Sequence, residues 1–134
     1  MKYLLDTNPC VGYLRGKNQL LLQRFGQHPA ADIALCSVVV GELYYGVERS
    51  ANPAKEQALV DAFTARFVSL AFDDTAARIY ARIRYDLETR GLPISENDYL
   101  IAAVALANNL ILVTHNTKEF SRVPGLNLED WEIP

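Results

Sequence analysis

Short apolar runs alternate with longer helix-like stretches along this chain, and this alternation restricts its fold more than any other feature. The predicted strands are Lys2 to Leu5, Ile33 to Cys36, Phe67 to Ala71 and Leu110 to Val113, with a short edge strand at Asn127 to Leu128. The first and fourth are nearly continuous apolar runs, which is typical of parallel strands buried on both faces. The sequence therefore predicts an α/β fold with a central, mostly parallel sheet of four to five strands flanked by helices.

Capping residues and prolines mark where the predicted helices begin. The starts are Asn8-Pro9, Ser37, Pro53, Asp73-Asp74 and Ser95. The helix from Ser37 is expected to run to Arg49 and the helix from Pro53 to Arg66. The next is expected to reach Arg90, where Gly91 provides a stop signal, and the last to end near Asn108-Asn109.

Size and composition narrow the class of protein. The chain has 134 residues, of which 50% are hydrophobic and 22% charged, which predicts a single globular domain over residues 1–134. No apolar run approaches the roughly 18 residues that cross a bilayer, and the N-terminal segment lacks a signal-peptide pattern, which favours the cytoplasm. Cys10 and Cys36 lie far apart outside any CxxC pattern, so we expect two small buried side chains rather than a zinc site or a disulfide.

Polar residues follow the predicted strands where each one ends. Asp6 ends the first strand, Glu42 lies about one turn into the helix after the second, and Asn116 lies just past the fourth. Asp98 lies in the first turn of the helix that Ser95 opens, and it joins the others only if that helix begins at the same edge. Ligands of open parallel α/β sheets bind beyond the carboxyl ends of the strands. We therefore expect a site there.

Clustered carboxylates point to metal chemistry. They repel one another and raise one another's pKa unless a cation neutralises them. Hard cations such as Mg²⁺ prefer oxygen ligands, and such an ion can activate a water and stabilise charge on a phosphoryl group. Phosphodiester hydrolysis is the reaction class that this residue set favours.

Structural explanations for the same acids stay open at this point. Asp6 could cap the helix that begins near Pro9, and Ser95 with Asp98 fits a capping box. Glu42 lies in an apolar helix and needs a partner, either a metal or Arg49 further along the helix. Gly46 lies beside Glu42 on the same face, which indicates close packing or access.

Four segments in register resemble PIN domains of the VapC type. They are MKYLLDTN at 1–8, Ser37 with GELYYG at 41–46, GLPI at 91–94 with DYLIAA at 98–103, and LVTHNTKEF at 112–120 followed by VPGL at 123–126 and Trp131. The resemblance covers essentially the whole chain. It implies a PIN-domain fold, an endoribonuclease that uses Mg²⁺ or Mn²⁺, and a toxin of a type II toxin–antitoxin pair that is silenced by a protein antitoxin.

The resemblance also implies roles for individual residues. Asp6, Glu42 and Asp98 become the catalytic metal ligands, with Glu42 either completing the shell or acting as base. A fourth acidic position of many PIN domains falls on Asn116, which carries no charge, and Asn8, Thr114 and Asn116 are expected to support the site or position a water. Relatives with Asn at this position resemble enzymes that cut initiator tRNA, which makes tRNA the first substrate candidate. A homodimer is also expected.

A net charge of −3 and a pI near 5.3 conflict with the basic footprint typical of nucleic-acid binders. Either the substrate is not a nucleic acid, or local positive side chains and bound cations overcome the net negative charge. The candidate contacts are Arg15, Lys17, Arg78, Arg82, Lys118 and Arg122. His115 adjoins the site and is a weaker candidate for substrate contact, whereas His28 is expected to be a loop residue.

Two other classes of function compete. An aspartyl-phosphate enzyme or receiver-like domain also places an acid after its first strand, although Asp6 is followed by Thr7-Asn8 and no D-x-D pattern is present. A non-catalytic binding module could use the apolar stretches Leu20 to Leu22 and Tyr44-Tyr45.

Overall fold

A five-stranded parallel sheet forms the centre of the protein in the computed structural model, which describes residues 1–134. The strands are β1 (Tyr3–Leu5), β2 (Ile33–Cys36), β3 (Val68–Leu70), β4 (Ile111–Val113) and β5 (Leu128–Glu129). They lie in the order β3-β2-β1-β4-β5, and all four strand pairs are parallel. The predicted α/β fold is confirmed, and each predicted strand overlaps an observed one.

Seven α-helices connect the strands. They are α1 (Thr7–Arg15), α2 (Gln19–Gly26), α3 (Ser37–Glu48), α4 (Pro53–Thr64), α5 (Asp74–Thr89), α6 (Glu96–Ala107) and α7 (Thr117–Phe120). A short 3-10 helix (Ala30–Asp32) precedes β2. Helices α1 and α3 to α6 correspond to predicted helices, whereas α2 and α7 were not predicted. None of these helices is both long and apolar enough to cross a membrane.

Two predicted helix caps are wrong. Helix α1 begins at Thr7 rather than at Pro9, and its N-cap is Asp6, whose side chain accepts a hydrogen bond from the Thr7 amide. Pro9 still fits, because an amide in the first turn has no acceptor within the helix. Ser37 is the first residue of α3 and not its cap, since the helix follows β2 directly and the N-cap position falls on Cys36, which forms no side-chain cap bond.

The caps predicted at Asp73 and Ser95 are confirmed, because each side chain accepts a hydrogen bond from the amide three residues later. Asn52, which was not predicted as a cap, makes the same bond before α4. Gly91 follows α5 with a φ of +70°, the left-handed conformation that glycine adopts without steric cost.

Buried strands and an aromatic cluster hold the core together. β1 and β2 are buried along their whole length, and both cysteines are free and buried as predicted. Trp131, 2% exposed, packs edge-on against Tyr3 and Phe25 and stacks on His28. His28 is a loop residue, as expected, but its ring belongs to this cluster. Leu21 is completely buried, so the stretch Leu20 to Leu22 is not a free binding surface.

Candidate active site

The carboxyl ends of β1, β2 and β4 bring the predicted acids to one edge of the sheet. The Thr7 hydroxyl donates to Glu42 Oε1 at 3.0 Å and so links the start of α1 to α3. Asn116 Nδ2 lies 3.4 Å from Asp98 Oδ2, which links α6 to the residues after β4. Asp98 therefore lies at the same edge, a placement that the sequence alone left open.

Asp6 is the most rigidly held of these acids. It is 5% exposed, its Oδ1 accepts from the Thr7 amide at 2.8 Å, and its Oδ2 accepts from the Thr114 hydroxyl at 2.8 Å. The Thr114 hydroxyl oxygen also accepts from the Asn116 amide at 2.9 Å. Thr114 thus fixes both a carboxylate and the backbone beside it.

Thr114→Val should destabilise the protein by about 1–3 kcal/mol, because the buried Asp6 carboxylate loses a donor and the Asn116 amide loses its acceptor. Urea unfolding of the two proteins measures the change. Thr114→Ser keeps the hydroxyl and is the matched control, expected to stay closer to the wild type. A Thr114→Val protein as stable as the wild type would show that these two bonds contribute nothing to stability.

Glu119 is a fourth acid at this edge, and the sequence analysis missed it. Asn116 Nδ2 lies 3.4 Å from Glu119 Oε2 as well as from Asp98 Oδ2, so the neutral amide lies between two carboxylates. Glu119 lies three residues after Asn116, in helix α7, which was not predicted. The uncharged residue at the expected acidic position is therefore accompanied by an acid one turn later.

Burial and mutual repulsion raise the pKa of the three predicted acids. Burial raises the pKa of Asp6, with a smaller contribution from Glu42, and burial raises the pKa of Glu42, with a contribution from Asp98. The pKa of Asp98 rises to about 6, first through burial and then through the negative charges of Asp6 and Glu119. The cluster thus contains more carboxyl groups than can easily be ionised at the same time.

No basic side chain compensates this charge. None of the four acids forms an ion pair with a lysine, arginine or histidine. The Arg49 partner considered for Glu42 is not found, because the Arg49 guanidinium lies over the Tyr45 ring at 4.8 Å. A set of oxygen donors with excess negative charge suits a hard divalent cation.

A groove of about 980 Å³ opens beside the acids, between α1, α3 and α4. Glu42 and Thr7 lie in its wall, so the cluster is accessible from solvent on this side. A Cβ at Gly46 would meet no atom within 4 Å, so this glycine provides access rather than close packing. Asn8 is exposed in the groove and forms no hydrogen bond with the carboxylates.

Most of the predicted RNA contacts are free cations on the surface. The exposed side chains without an ion pair are Arg15, Lys17, Arg78, Arg82 and Lys118. Arg15 also lines the groove. Arg122 differs, because it is half-buried and donates to the Pro93 carbonyl. His115 pairs with Asp130 at 2.9 Å, so the structure gives it a partner outside the acid cluster.

Comparisons with known proteins identify the family of this chain. The family model of the PIN domain matches residues 3–126. A tRNA(fMet)-specific endonuclease VapC from Salmonella typhimurium is 35% identical over 131 residues, which cover 98% of each chain.

Solved structures show the same relationship. DNA-bound VapBC from Salmonella typhimurium has a TM-score of 0.92 at 35% identity and covers 98% of each chain. VapBC-5 from Mycobacterium tuberculosis, a member of the VapBC family of toxin–antitoxin systems, has a TM-score of 0.73 at 26% identity over 98% of each chain. This chain therefore belongs to the PIN-domain family and, within it, to the VapC group.

Proposed function

We propose that this chain is a metal-dependent endoribonuclease, the toxin of a VapBC-type toxin–antitoxin pair, which hydrolyses phosphodiester bonds in RNA. The observation that carries the proposal is the cluster of Asp6, Glu42, Asp98 and Glu119 at the strand edge, which no basic side chain of the protein neutralises. Its place in the VapC group supports the same reaction.

Asp6, Glu42 and Asp98 would hold Mg²⁺ or Mn²⁺. The fit rests on the donor set, which consists of carboxylates whose burial and mutual repulsion raise their pKa values. A divalent cation bound between them would relieve that repulsion and supply the missing positive charge. When bound, such an ion activates water and stabilises the charge that develops on a phosphoryl group. Glu119 adds negative charge, and Asn116 orients the two acids between which it lies.

The side chains of the site have different proposed roles. Asp6 is held on both oxygens and keeps a fixed position, which suits a ligand more than a proton carrier. Glu42 is less buried, faces the groove and has a raised pKa, so it is the side chain best placed to take a proton from an attacking water. Thr114 and Asn116 position the acids, and Asn8 lines the approach.

The substrate class is RNA, with initiator tRNA as the first candidate. A relative at 35% identity carries the name tRNA(fMet)-specific endonuclease. The phosphates would meet the unpaired cations, of which Arg15 lies in the groove itself. Contacts of this kind release counterions, so RNA binding should weaken steeply as salt rises.

The proposed partners are a cognate protein antitoxin and a second copy of the chain. The VapBC-5 neighbour belongs to a toxin–antitoxin family, which supports the first. The homodimer and a cytoplasmic location follow from the family resemblance and the sequence. Residues 1–134 would act as one domain.

An aspartyl-phosphate mechanism is disfavoured by the state of Asp6. Both of its oxygens accept hydrogen bonds, which makes them weaker nucleophiles, and only 5% of the residue is exposed, which leaves little room for a tetrahedral phosphoryl group on Asp6. A phosphoryl mimic that labelled Asp6 stoichiometrically would favour the rival.

Purified, antitoxin-free protein should cleave RNA into discrete fragments with Mg²⁺ and not with EDTA. Asp6→Ala, Glu42→Ala and Asp98→Ala should each lower the rate at least about 100-fold while the protein stays folded. Gel analysis of total RNA and of purified tRNA measures the cleavage, and mapping the fragment ends identifies the bond.

Glu48→Ala is the matched control for Glu42→Ala, because Glu48 is an exposed acid of the same helix. It should cleave RNA at the wild-type rate. A folded wild-type protein that cuts no RNA with any divalent metal would overturn the proposal, and an Asp6, Glu42 or Asp98 variant with wild-type turnover would remove that residue from the mechanism.

A further inference from the structure

A second group of metal-ligating side chains lies at the same end of the sheet, outside the acid cluster. His115 follows β4 after Thr114, and Asp130 and Glu132 follow β5. Because β4 and β5 are parallel neighbours, their carboxyl ends bring the three side chains together. One ligand atom of each lies within 4.8 Å of the other two.

The two distances from His115 are compatible with a single ion. His115 Nδ1 lies 2.9 Å from Asp130 Oδ2 and 3.8 Å from Glu132 Oε2. Nitrogen and oxygen ligands about 2.1 Å from one zinc ion stand about 3.4 Å apart when the geometry is tetrahedral. The two observed distances lie on either side of that value.

The group contains a carboxylate oxygen without a donor. Glu132 Oε2 exposes less than 1 Å² and has no hydrogen-bond partner, although the side chain as a whole is 21% exposed, and it is the only buried side-chain polar atom of the protein in that state. The distance of 3.8 Å to His115 Nδ1 is too long for a hydrogen bond. Buried acceptors normally have a partner, so this oxygen points to a positive group beside it.

The two acids are held in position from outside the group. The Asp130 side chain is 7% exposed, and its Oδ1 accepts from the Glu132 amide at 2.9 Å, which leaves Oδ2 facing His115. Arg24 donates to the Asp130 carbonyl at 2.7 Å, and Asn18 lies 3.4 Å from the Glu132 carbonyl. These bonds fix the backbone and do not involve the ligand atoms, of which His115 Nδ1 and Asp130 Oδ2 form a hydrogen bond only with each other. The His115 side chain is 57% exposed and gives an ion a route from solvent.

We propose that His115, Asp130 and Glu132 form a second metal site, which binds one borderline divalent transition ion of the Zn²⁺ type. An imidazole with two carboxylates is a ligand set that Zn²⁺ accepts, whereas Mg²⁺ favours oxygen ligands alone. The ion takes the place of any proton on His115 Nδ1, and the neutral ring keeps its proton on Nε2. Two carboxylates balance the charge of the ion, and solvent completes the coordination.

The chain contains only two histidines, so NMR of the imidazole groups tests the proposal directly. Zn²⁺ is titrated into the Asp98→Asn protein, in which the acid cluster is weakened as a competing site. The His115 ring signals should shift and saturate at one equivalent, while those of His28, which stacks on Trp131, stay unchanged.

Affinity measurements on matched variants complete the test. His115→Asn and Glu132→Gln, made in the same Asp98→Asn background, should each weaken Zn²⁺ binding in calorimetry at least about tenfold. His28→Gln is the control for loss of a histidine and should bind as before. Equal Zn²⁺ affinity with and without His115, or ring shifts that never saturate, would show that the three side chains form only a hydrogen-bonded surface group.

Discussion

Asp98→Asn will abolish RNA cleavage and, without divalent metal, raise the melting temperature of the protein. The pKa of Asp98 is raised from 3.8 to about 6, first by burial and then by the charges of Asp6 and Glu119. The folded state therefore binds the Asp98 proton more tightly than the unfolded state does. Asparagine keeps the shape of the side chain and carries no charge, so it removes the repulsion together with the proposed metal ligand.

The sign of this effect depends on pH. Because the folded pKa lies above the unfolded one, the stabilising contribution of the Asp98 proton is complete below pH 3.8 and disappears as pH rises through about 6. At pH 7.5 in EDTA we expect the free energy of unfolding of Asp98→Asn to exceed that of the wild type by about 1–2 kcal/mol, a value discounted for the exposed half of the Asp98 side chain. The melting temperature should rise by about 5 °C. Near pH 4 the gain should disappear. Calorimetry at both pH values measures the difference.

Asp74→Asn is the matched control for this experiment. Asp74 lies in the first turn of α5 as Asp98 lies in the first turn of α6, but Asp74 is exposed and takes no part in the acid cluster. Loss of its favourable interaction with the helix dipole should lower stability by about 0.3–1 kcal/mol. If Asp98→Asn also lowered stability in EDTA, Asp98 would be a helix-terminal acid and not part of a repulsive cluster.

The strand edge could be predicted from the sequence because the polar residues there follow directly after apolar strands. The chain places Asp6 after β1, Ser37 and Glu42 after β2, and Thr114 after β4, and parallel pairing brings these ends together. The partners of each acid could not be predicted, since they depend on side-chain geometry. Thr7 bonds to Glu42 across 35 residues and Thr114 to Asp6 across 108.

Short helices were the part of the fold that sequence patterns did not indicate. Helix α7 has four residues, too few for a helical period, so Glu119 was not assigned to the strand edge. Helix α2 does carry a start signal, because the Asn18 side chain accepts from the Leu21 amide, and Leu21 and Phe25 mark its buried face. Leu20 to Leu22 were considered as a binding surface only under the non-catalytic alternative, and the complete burial of Leu21 contradicts that use.

Asp6 shows that capping a helix and belonging to the acid cluster are compatible for one residue. Its Oδ1 caps α1, as the capping alternative predicted, but the helix begins at Thr7 rather than near Pro9. Its Oδ2 is held by Thr114 within the acid cluster. The capping bond therefore orients the carboxylate within the acid cluster, so capping does not exclude the proposed role as a metal ligand.

Trp131→Ala should destabilise the whole protein by about 3–5 kcal/mol, the range for removing a buried aromatic side chain. Trp131 is 2% exposed and contacts three other rings, those of Tyr3, Phe25 and His28. Its indole also donates to Glu129 Oε1 at 3.0 Å. Urea unfolding measures the loss, and the cooperative transition should move to much lower urea.

Tyr85→Ala is the control, because Tyr85 is 75% exposed and its substitution should change the free energy of unfolding by less than about 0.5 kcal/mol.

The comparison of the two variants tests whether the segment after β4 belongs to the cooperative core. β5 has only two residues, and such a ladder is too short to hold the chain end by itself. Trp131 is then the main anchor of β5 and of the two acids beside it. A loss below about 1 kcal/mol in Trp131→Ala would mean that the segment after β4 is held by other contacts.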